Sequence, residues 1–381
     1  MKIGILGAGP AGLYASILIK QAFPGAEIKI FDQSPANVTW GFGVVFSDTA
    51  LAFLRKDDPE TADLIEPHME TWSDIRINHK GETIAMDGIG FSAIGRLELL
   101  QLLQQRAAQF DVHPTYDKRI DDLSVFDDCD MVIAADGLNS LVRAESPQAF
   151  GETLYHIHNR FCWYGTDRPF EALTQTFKES QYGFFNAHHY RYAPDKSTFL
   201  VECDEAAYKK AGFEYMAEPE YRAICEEIFA DTLDGARLIN NNSFWRQFPV
   251  LSNRRWYNGN RVLVGDALHT AHYSIGSGTR LALEDVIALV RALKEVGGDV
   301  AKALPLYQQQ RQPIMEKLCT AATTSALWYE RFGEHMALEP WALVRSYIMR
   351  SNRLSGSEIR KMSPGFAAGL EAHGIAIDDA S

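Results

Sequence analysis

The chain has 381 residues, 46% of them hydrophobic and 23% charged, with 28 glycines and 15 prolines. That length exceeds one ordinary core and predicts about two domains, and the composition excludes disordered, collagen-like and coiled-coil chains. A formal net charge of −13 argues against nucleic-acid binding, because attraction to a phosphate backbone needs clustered cations. The five cysteines (Cys129, Cys162, Cys203, Cys225 and Cys319) are odd in number and lack CxxC spacing. Neither a disulfide framework nor a zinc site is expected from them, and a reducing cytoplasm fits.

Residues 2–6 read as an apolar strand, followed at once by Gly7, Gly9 and Gly12 in the spacing G-x-G-x-x-G. A helix is predicted over 13–23, ended by Pro24-Gly25, and then a strand over 27–31 ending at Asp32. The uncharged run 3–19 is too short for a spanning helix, and glycines and Pro10 interrupt it, so neither a membrane anchor nor a signal peptide is expected. Strand, glycine turn, helix, strand, acid is the dinucleotide-binding unit. The first glycine makes the tight turn, the second admits a pyrophosphate and the third lets the helix pack on the strand. The phosphates then meet the N–H groups of the helix N-terminus, and Asp32 accepts from ribose hydroxyls.

Residues 132–137 form a second buried strand ending in Asp136-Gly137. The stretch from about 154 to 248 is rich in aromatics and alternating patterns, predicting strands over 161–165, 175–178 and 197–203 and a helix over 220–230 behind Pro219. A strand over 261–264 leads to Gly265-Asp266, and a turn through Gly276, Gly278 and Thr279 opens a long helix over 279–296. Both acids sit at strand C-termini facing one crevice, and the second glycine turn offers another helix N-terminus to the flavin end of a cofactor. The remaining chain reads as mainly helical, broken near Pro305, Gly333, Pro340 and Ser355-Gly356, with a loose tail after Gly369. The expected architecture is α/β: a discontinuous FAD-binding Rossmann-like domain (1–153 and 255–330), an inserted, mostly β substrate domain (154–254) and a C-terminal helical segment (331–381).

At these residues the chain resembles the class A flavoprotein monooxygenases, the para-hydroxybenzoate hydroxylase-like family. In that family the glycine fingerprint, a D-G-x-x-S-x-x-R segment (here Asp136 to Arg143) and a G-D segment follow in this order. Arg96, with Leu99, Leu100 and Leu103 behind it, matches the family's arginine near the FAD phosphates. Segments 40–48, 163–166, 187–192, 197–202 and 272–280 are similar to the salicyloyl-CoA 5-hydroxylase and anthraniloyl-CoA monooxygenase group, and Ser274 stands where many class A members have proline. The resemblance implies FAD held by Gly7, Gly9, Gly12, Asp32, Arg96, Asp136, Asp266, Gly276, Gly278 and Thr279. It implies NADH or NADPH as a transient reductant, docking without a domain of its own since no second glycine fingerprint is present. It also implies O2 as the source of an oxygen atom placed on an electron-rich ring. The sequence stops before a second flavin barrel could begin, so the reductase half of the fused anthraniloyl-CoA enzymes is expected to be missing.

Three histidines are the candidates for acid–base work. His188 precedes Tyr190 and Tyr192 on a predicted sheet face, and His269 and His272 flank the flavin turn. Trp163 and Tyr190 are candidate substrate-wall residues. Arg350 and Arg353 belong to a basic C-terminal stretch that can hold the phosphates of a CoA thioester. No carboxylate or cysteine completes a ligand spacing around His156, His158, His188 and His189, so no metal is expected. The reading is an FAD-dependent hydroxylase of an aryl-CoA thioester such as salicyloyl-CoA. A hydroxylase of a free aromatic acid or tryptophan-like metabolite, and a non-catalytic FAD-binding protein, remain the alternatives.

Overall fold

Five strands form the first sheet, in the order Tyr257–Asn258, Arg261–Leu263, Met131–Ala134, Lys2–Leu6 and Glu27–Phe31, all parallel except the first. The computed structural model describes residues 1–377, the side chains of 47–51 and 53 excepted. The central strands are apolar throughout, as Met131–Ala134 shows with every residue buried, because helices cover both faces of a parallel sheet. Helix Pro10–Ala22 starts three residues before the predicted one, with Pro10 occupying a first-turn position that needs no N–H partner. It packs against helix Gly278–Glu295. Parallel strands direct their C-terminal ends to one edge, and the ligand crevice of such a sheet opens there.

The second sheet has eight strands. Seven run in the order Leu238–Asn240, Glu152–Thr166, Lys196–Cys203, Gly183–Ala193, Leu173–Ser180, Ile75–His79 and Glu82–Met86, and Arg246–Asn253 also pairs with Glu152–Thr166. Two of these strands, 75–79 and 82–86, come from the stretch expected to lie wholly within the cofactor domain. Ile75 and Ile77 alternate with partly exposed residues, and this period-2 signal is too short to stand out in the sequence. Side chains alternate between the two faces. Cys162, Tyr164, Phe185, Ala187, Phe199 and Val201 form one core beneath helices Glu205–Ala211 and Glu218–Ile228. Their neighbours Phe161, Trp163, His188, Leu200 and Glu202 share the opposite face in register.

The predicted helix break at Pro305 does not occur. Helix Val300–Glu330 runs for 31 residues through Pro305 and Pro313; each proline removes one backbone hydrogen bond, and burial of Leu304, Tyr307, Arg311 and Met315 offsets the loss. The break falls earlier, at Gly297 and Gly298, whose φ values of +66° and +87° are left-handed. The tail after Gly369 is not loose over its described length. Helix Pro364–Ala372 continues past it, Ile377 is buried, and the Ile377 carbonyl accepts from Arg345 Nη2 at 3.3 Å; residues 378–381 lie outside the described residues. The C-terminal helices cover Ile75, Ile77, Ile84 and Met86 with Leu343, Tyr347, Ile359 and Phe366. No described helix is long and apolar enough to cross a membrane.

Candidate functional site

Gly7 has φ +97°, and a Cβ there would stand 2.8 Å from the Asp136 nitrogen. Only glycine lets the first turn lie against the end of the Met131–Ala134 strand. Asp32 closes this turn: its Oδ2 accepts from Ala8 N and its Oδ1 from Ser34 N, both at 2.7 Å. Each oxygen keeps a second lone pair for another donor. Gly9 caps the Pro10–Ala22 helix without any side-chain hydrogen bond, and a Cβ on it would meet nothing within 4 Å. The second helix N-terminus repeats the arrangement. Ser277 turns its hydroxyl to the Ile275 carbonyl (3.0 Å) instead of capping, Gly276 is left-handed at φ +58°, and Gly278 has open space where a Cβ would stand. Thr279 follows Gly278 in the first turn of this helix. Uncapped helix N-termini with room in front of them are anion sites.

Three charged groups, Asp136, Arg96 and Asp266, belong to this part of the molecule, and the first two each leave a buried polar atom without a partner among the described residues. Asp136 Oδ2 accepts from Leu141 N at 2.7 Å, while its Oδ1 is buried and has no partner among the described residues. Burial raises the pKa of this carboxyl. Arg96 lies 5.7 Å over the Trp163 ring, and its buried Nε has no partner among the described residues. Burial lowers the pKa of the guanidinium, and the charge of Asp266 opposes that shift. Asp266 itself is exposed by surface area, yet desolvation still raises its carboxyl pKa. Orphaned Asp136 Oδ1 and Arg96 Nε, with the space beyond Gly9 and Gly278, fit a bound dinucleotide.

The crevice face of the second sheet carries a buried polar network centred on Glu202, which the sequence reading did not single out. Glu202 Oε1 accepts from Asn159 Nδ2 at 2.9 Å, and its Oε2 lies 3.4 Å from His188 Nε2. The Tyr273 hydroxyl and the His272 ring face the same carboxylate. Burial opposes ionisation of Glu202, but the hydrogen bonds from His188 and Asn159 outweigh it and the pKa falls below the usual carboxylate range. His188 Nδ1 accepts from Gln175 Nε2 at 3.0 Å, while Gln175 Oε1 accepts from the Tyr329 hydroxyl at 3.3 Å. Both ring nitrogens of His188 are therefore engaged, and burial keeps the ring neutral by lowering its pKa. The signal that marks Glu202 is a lone acid in the otherwise apolar run Phe199–Cys203, on the same face as His188.

His272 stands differently. Its Nδ1 accepts from Ser274 N (3.4 Å) and lies 2.9 Å from Ser274 Oγ, which is 2.7 Å from Ser325 Oγ. No hydrogen bond to its Nε2 occurs among the described residues. The ring packs on Phe248 (4.9 Å between centroids) and Tyr273 (4.0 Å), with Phe161 4.9 Å from Tyr273. Burial pushes its pKa down to about 3, so at neutral pH it is an uncharged imidazole. His269 lies apart from this network: its Nε2 is 2.7 Å from Asp285 Oδ2, and Asp285 Oδ1 accepts from Arg311 Nε at 2.9 Å.

The candidate substrate residues separate. Trp163 faces the crevice beneath Arg96, whereas the Tyr190 hydroxyl donates to the Gly43 carbonyl at 2.9 Å and so ties two strands together. The basic C-terminal stretch does not form one patch. Arg350 turns inward, donating to the carbonyls of Tyr347 (2.6 Å) and Ser274 (2.8 Å) and lying 3.8 Å over the Tyr347 ring. Arg353 is exposed, and Arg360 reaches Glu371 at 3.9 Å. Among the described residues no group of three or more His, Cys, Asp or Glu side chains is placed to hold a metal ion.

A parallel sheet with two uncapped, glycine-lined helix N-termini at its crevice, joined to a second sheet with an aromatic inner face, defines a dinucleotide-dependent enzyme fold. A family model described as an FAD binding domain matches residues 101–322, and the chain belongs to this family, the class A flavoprotein monooxygenases. FAD is the cofactor of the family and NADH or NADPH its reductant. The chain is 37% identical over 344 residues to salicyloyl-CoA 5-hydroxylase of a Streptomyces species, covering 88% of this chain and 66% of that protein. It is 38% identical over 337 residues to 3-hydroxy-4-methyl-anthranilyl-[aryl-carrier protein] 5-monooxygenase of Streptosporangium sibiricum, covering 88% of this chain and 90% of that one. Among solved structures, a tetrameric form of 2-methyl-3-hydroxypyridine-5-carboxylic acid oxygenase superposes with a TM-score of 0.71 at 17% identity over 92% of this chain and 97% of that one, a likeness of fold.

Proposed function

We propose that this protein hydroxylates an electron-rich aromatic ring presented as a thioester, an aryl-CoA such as salicyloyl-CoA, using FAD, NADH or NADPH and O2. The observation that carries the reading is His272: a neutral imidazole in an aromatic wall, with Nε2 unclaimed among the described residues and Nδ1 leading to Ser274 and Ser325. Bound FAD supplies the activated oxygen. The protein's own part is to bind the ring against Phe161, Phe248 and Tyr273, exclude water and manage one proton. With Nδ1 accepting from Ser274, Nε2 carries the ring proton of the neutral imidazole and donates a hydrogen bond to the oxygen of a bound phenolate, which holds the substrate in its electron-rich form. A proline at position 274 would have neither the N–H nor the hydroxyl that faces Nδ1 and fixes this tautomer.

His188, engaged at both nitrogens, serves as a positioning residue that orients Glu202 and, through it, the Tyr273–His272 wall. His269 holds the loop after Asp266 through Asp285. Gly7, Gly9, Gly12, Asp32, Arg96 and Asp136 hold the AMP and pyrophosphate half of FAD, and Asp266, Gly276, Gly278 and Thr279 hold the flavin half. The preference for a thioester over the free acid rests on the two relatives, whose names give a CoA ester and an aryl-carrier protein as substrates. The test is to compare aryl-CoA thioesters with their free acids for stimulation of nicotinamide oxidation and for hydroxylated product. Stimulation by the thioester alone supports the reading, and equal turnover of the free acid overturns it. His272→Gln should lower product formed per nicotinamide oxidised more than His188→Gln does; the reverse order would return the proton to His188.

A further inference from the structure

Arg246 opens the edge strand Arg246–Asn253 and has no carboxylate within ion-pair reach among the described residues, in a chain of net charge −13. Its guanidinium lies 5.2 Å over the Phe161 ring, on the aromatic wall, and 5.9 Å over the Phe244 ring, on the surface. Arg246 is the register partner of Phe161 across the antiparallel pair, which puts the two side chains on the same, crevice-facing side of the sheet. The preceding residue, Trp245, is buried and stacks on Phe213 at 5.0 Å. This anchor fixes the segment so that Phe244, 60% exposed, and Arg246 both face outward. Asn241 Nδ2 donates to the carbonyls of Thr39 (3.1 Å) and Gly41 (2.9 Å), latching this loop to one that exposes Val38 and Trp40. An unpaired cation thus stands between the aromatic wall and an apolar rim.

A cation held over two rings without a protein anion is built to take an anion from a ligand. On the reading of the preceding section, the ligand reaches from the ring site outward as a pantetheine arm ending in a phosphate. We infer that Arg246 anchors the phosphate of the phosphopantetheine arm of the aryl thioester, with Trp40 and Phe244 flanking the arm where it leaves the crevice. The same arm occurs in coenzyme A and on a carrier protein, so the recognised chemistry is the phosphopantetheine itself. Arg350 and Arg353 are not needed for this task, the first being occupied by two carbonyls.

The experiment compares wild type, Arg246→Ala and Arg246→Lys on four esters of one aryl acid: the pantetheine ester, the phosphopantetheine ester, the CoA ester and the ester on a holo carrier protein. Binding of phosphopantetheine and pantetheine to the FAD-loaded protein is measured alongside by calorimetry. Losing one charge-assisted contact should weaken binding by about ten- to a hundredfold. Arg246→Ala should therefore raise KM by that factor for all three phosphate-bearing esters, leave the KM for the pantetheine ester within about twofold, and recover partly in Arg246→Lys. A penalty equal for all four esters would move Arg246 to the aromatic end and overturn the inference. So would a penalty confined to the CoA ester, which would point to the nucleotide phosphates instead. Wild type that prefers the free acid overturns the thioester reading itself, and the calorimetric difference between phosphopantetheine and pantetheine then decides whether Arg246 still selects the phosphate.

Discussion

Gly9 and Gly12 belong to one fingerprint, but the structure predicts opposite consequences for replacing them by alanine. Gly9 has φ −71° and ψ −176°, an extended conformation open to any residue, and a Cβ there meets nothing within 4 Å. Gly9→Ala should therefore fold: restriction of the unfolded chain adds about 0.4–1 kcal/mol, alanine's poorer fit at the helix N-cap offsets it, and the apoprotein should melt close to wild type. The new methyl occupies the approach of the pyrophosphate to the helix N-terminus. Each charge-assisted N–H bond lost there is worth about 1.5–3 kcal/mol, or about ten- to a hundredfold in FAD affinity. At Gly12 a Cβ would overlap the Gly7 carbonyl oxygen and stand 3.3 Å from Ile5 Cγ2. The helix must lift from its strand, at a cost of about 1–3 kcal/mol. Thermal melts of the two apoproteins and titration with FAD followed by flavin fluorescence measure both quantities. A Gly9→Ala protein that melts as low as Gly12→Ala, or binds FAD as tightly as wild type, refutes the argument.

Acid should destabilise the fold through its buried histidines. His189 and His272 are both held near a pKa of about 3 by burial. The unfolded chain binds a proton below about pH 6.5 that the native chain refuses, so each costs nothing at neutral pH and about 2 kcal/mol at pH 5, the loss growing until the pH reaches the folded pKa. Chemical denaturation at pH 7 and pH 5 checks this, and His189→Asn should remove about half of the difference, leaving the share of His272; a flat profile in wild type contradicts it. Asp285→Asn leaves Arg311 buried without its full charge partner and should destabilise by about 3–5 kcal/mol, with His269 freed and flavin content falling in parallel. Unchanged melting would mean that Glu284, 2.9 Å from Arg311 Nη2, suffices.

The cofactor half was legible because its constraints are local. Gly7, Gly9, Gly12 and Asp32 lie within a single strand–helix–strand unit, and each spacing has a steric or electrostatic reason that survives without knowledge of the rest. The same holds for Ser140 and Arg143, where the Ser140 hydroxyl caps a short helix by accepting from Arg143 N at 3.2 Å. The chemistry on the second sheet was legible only as a set of residue types. His188 sits in the segment that reading favoured, yet Gln175 and Glu202, which decide what its nitrogens can do, come from neighbouring strands whose pairing no spacing reveals. Asp285 and Glu202 are both acids inside apolar runs, a signal visible in sequence but silent about its partner. The basic C-terminal stretch misled for the same reason: a helix ending at Met349 turns Arg350 inward and leaves Arg353 outside.

The pairing of Ile75–His79 with Leu173–Ser180, nearly a hundred residues away, limits how the protein can be re-engineered. Arg76 lies beside Thr174 and Asn78 beside Thr176, so the sheet behind the ring site is stitched from two separate stretches of chain. Transplanting residues 154–254 into a relative to exchange specificity would leave an unsatisfied strand edge on the graft and an orphan hairpin on the host. An exchange that keeps function has to carry 75–86 along with the insert, as a two-part cassette.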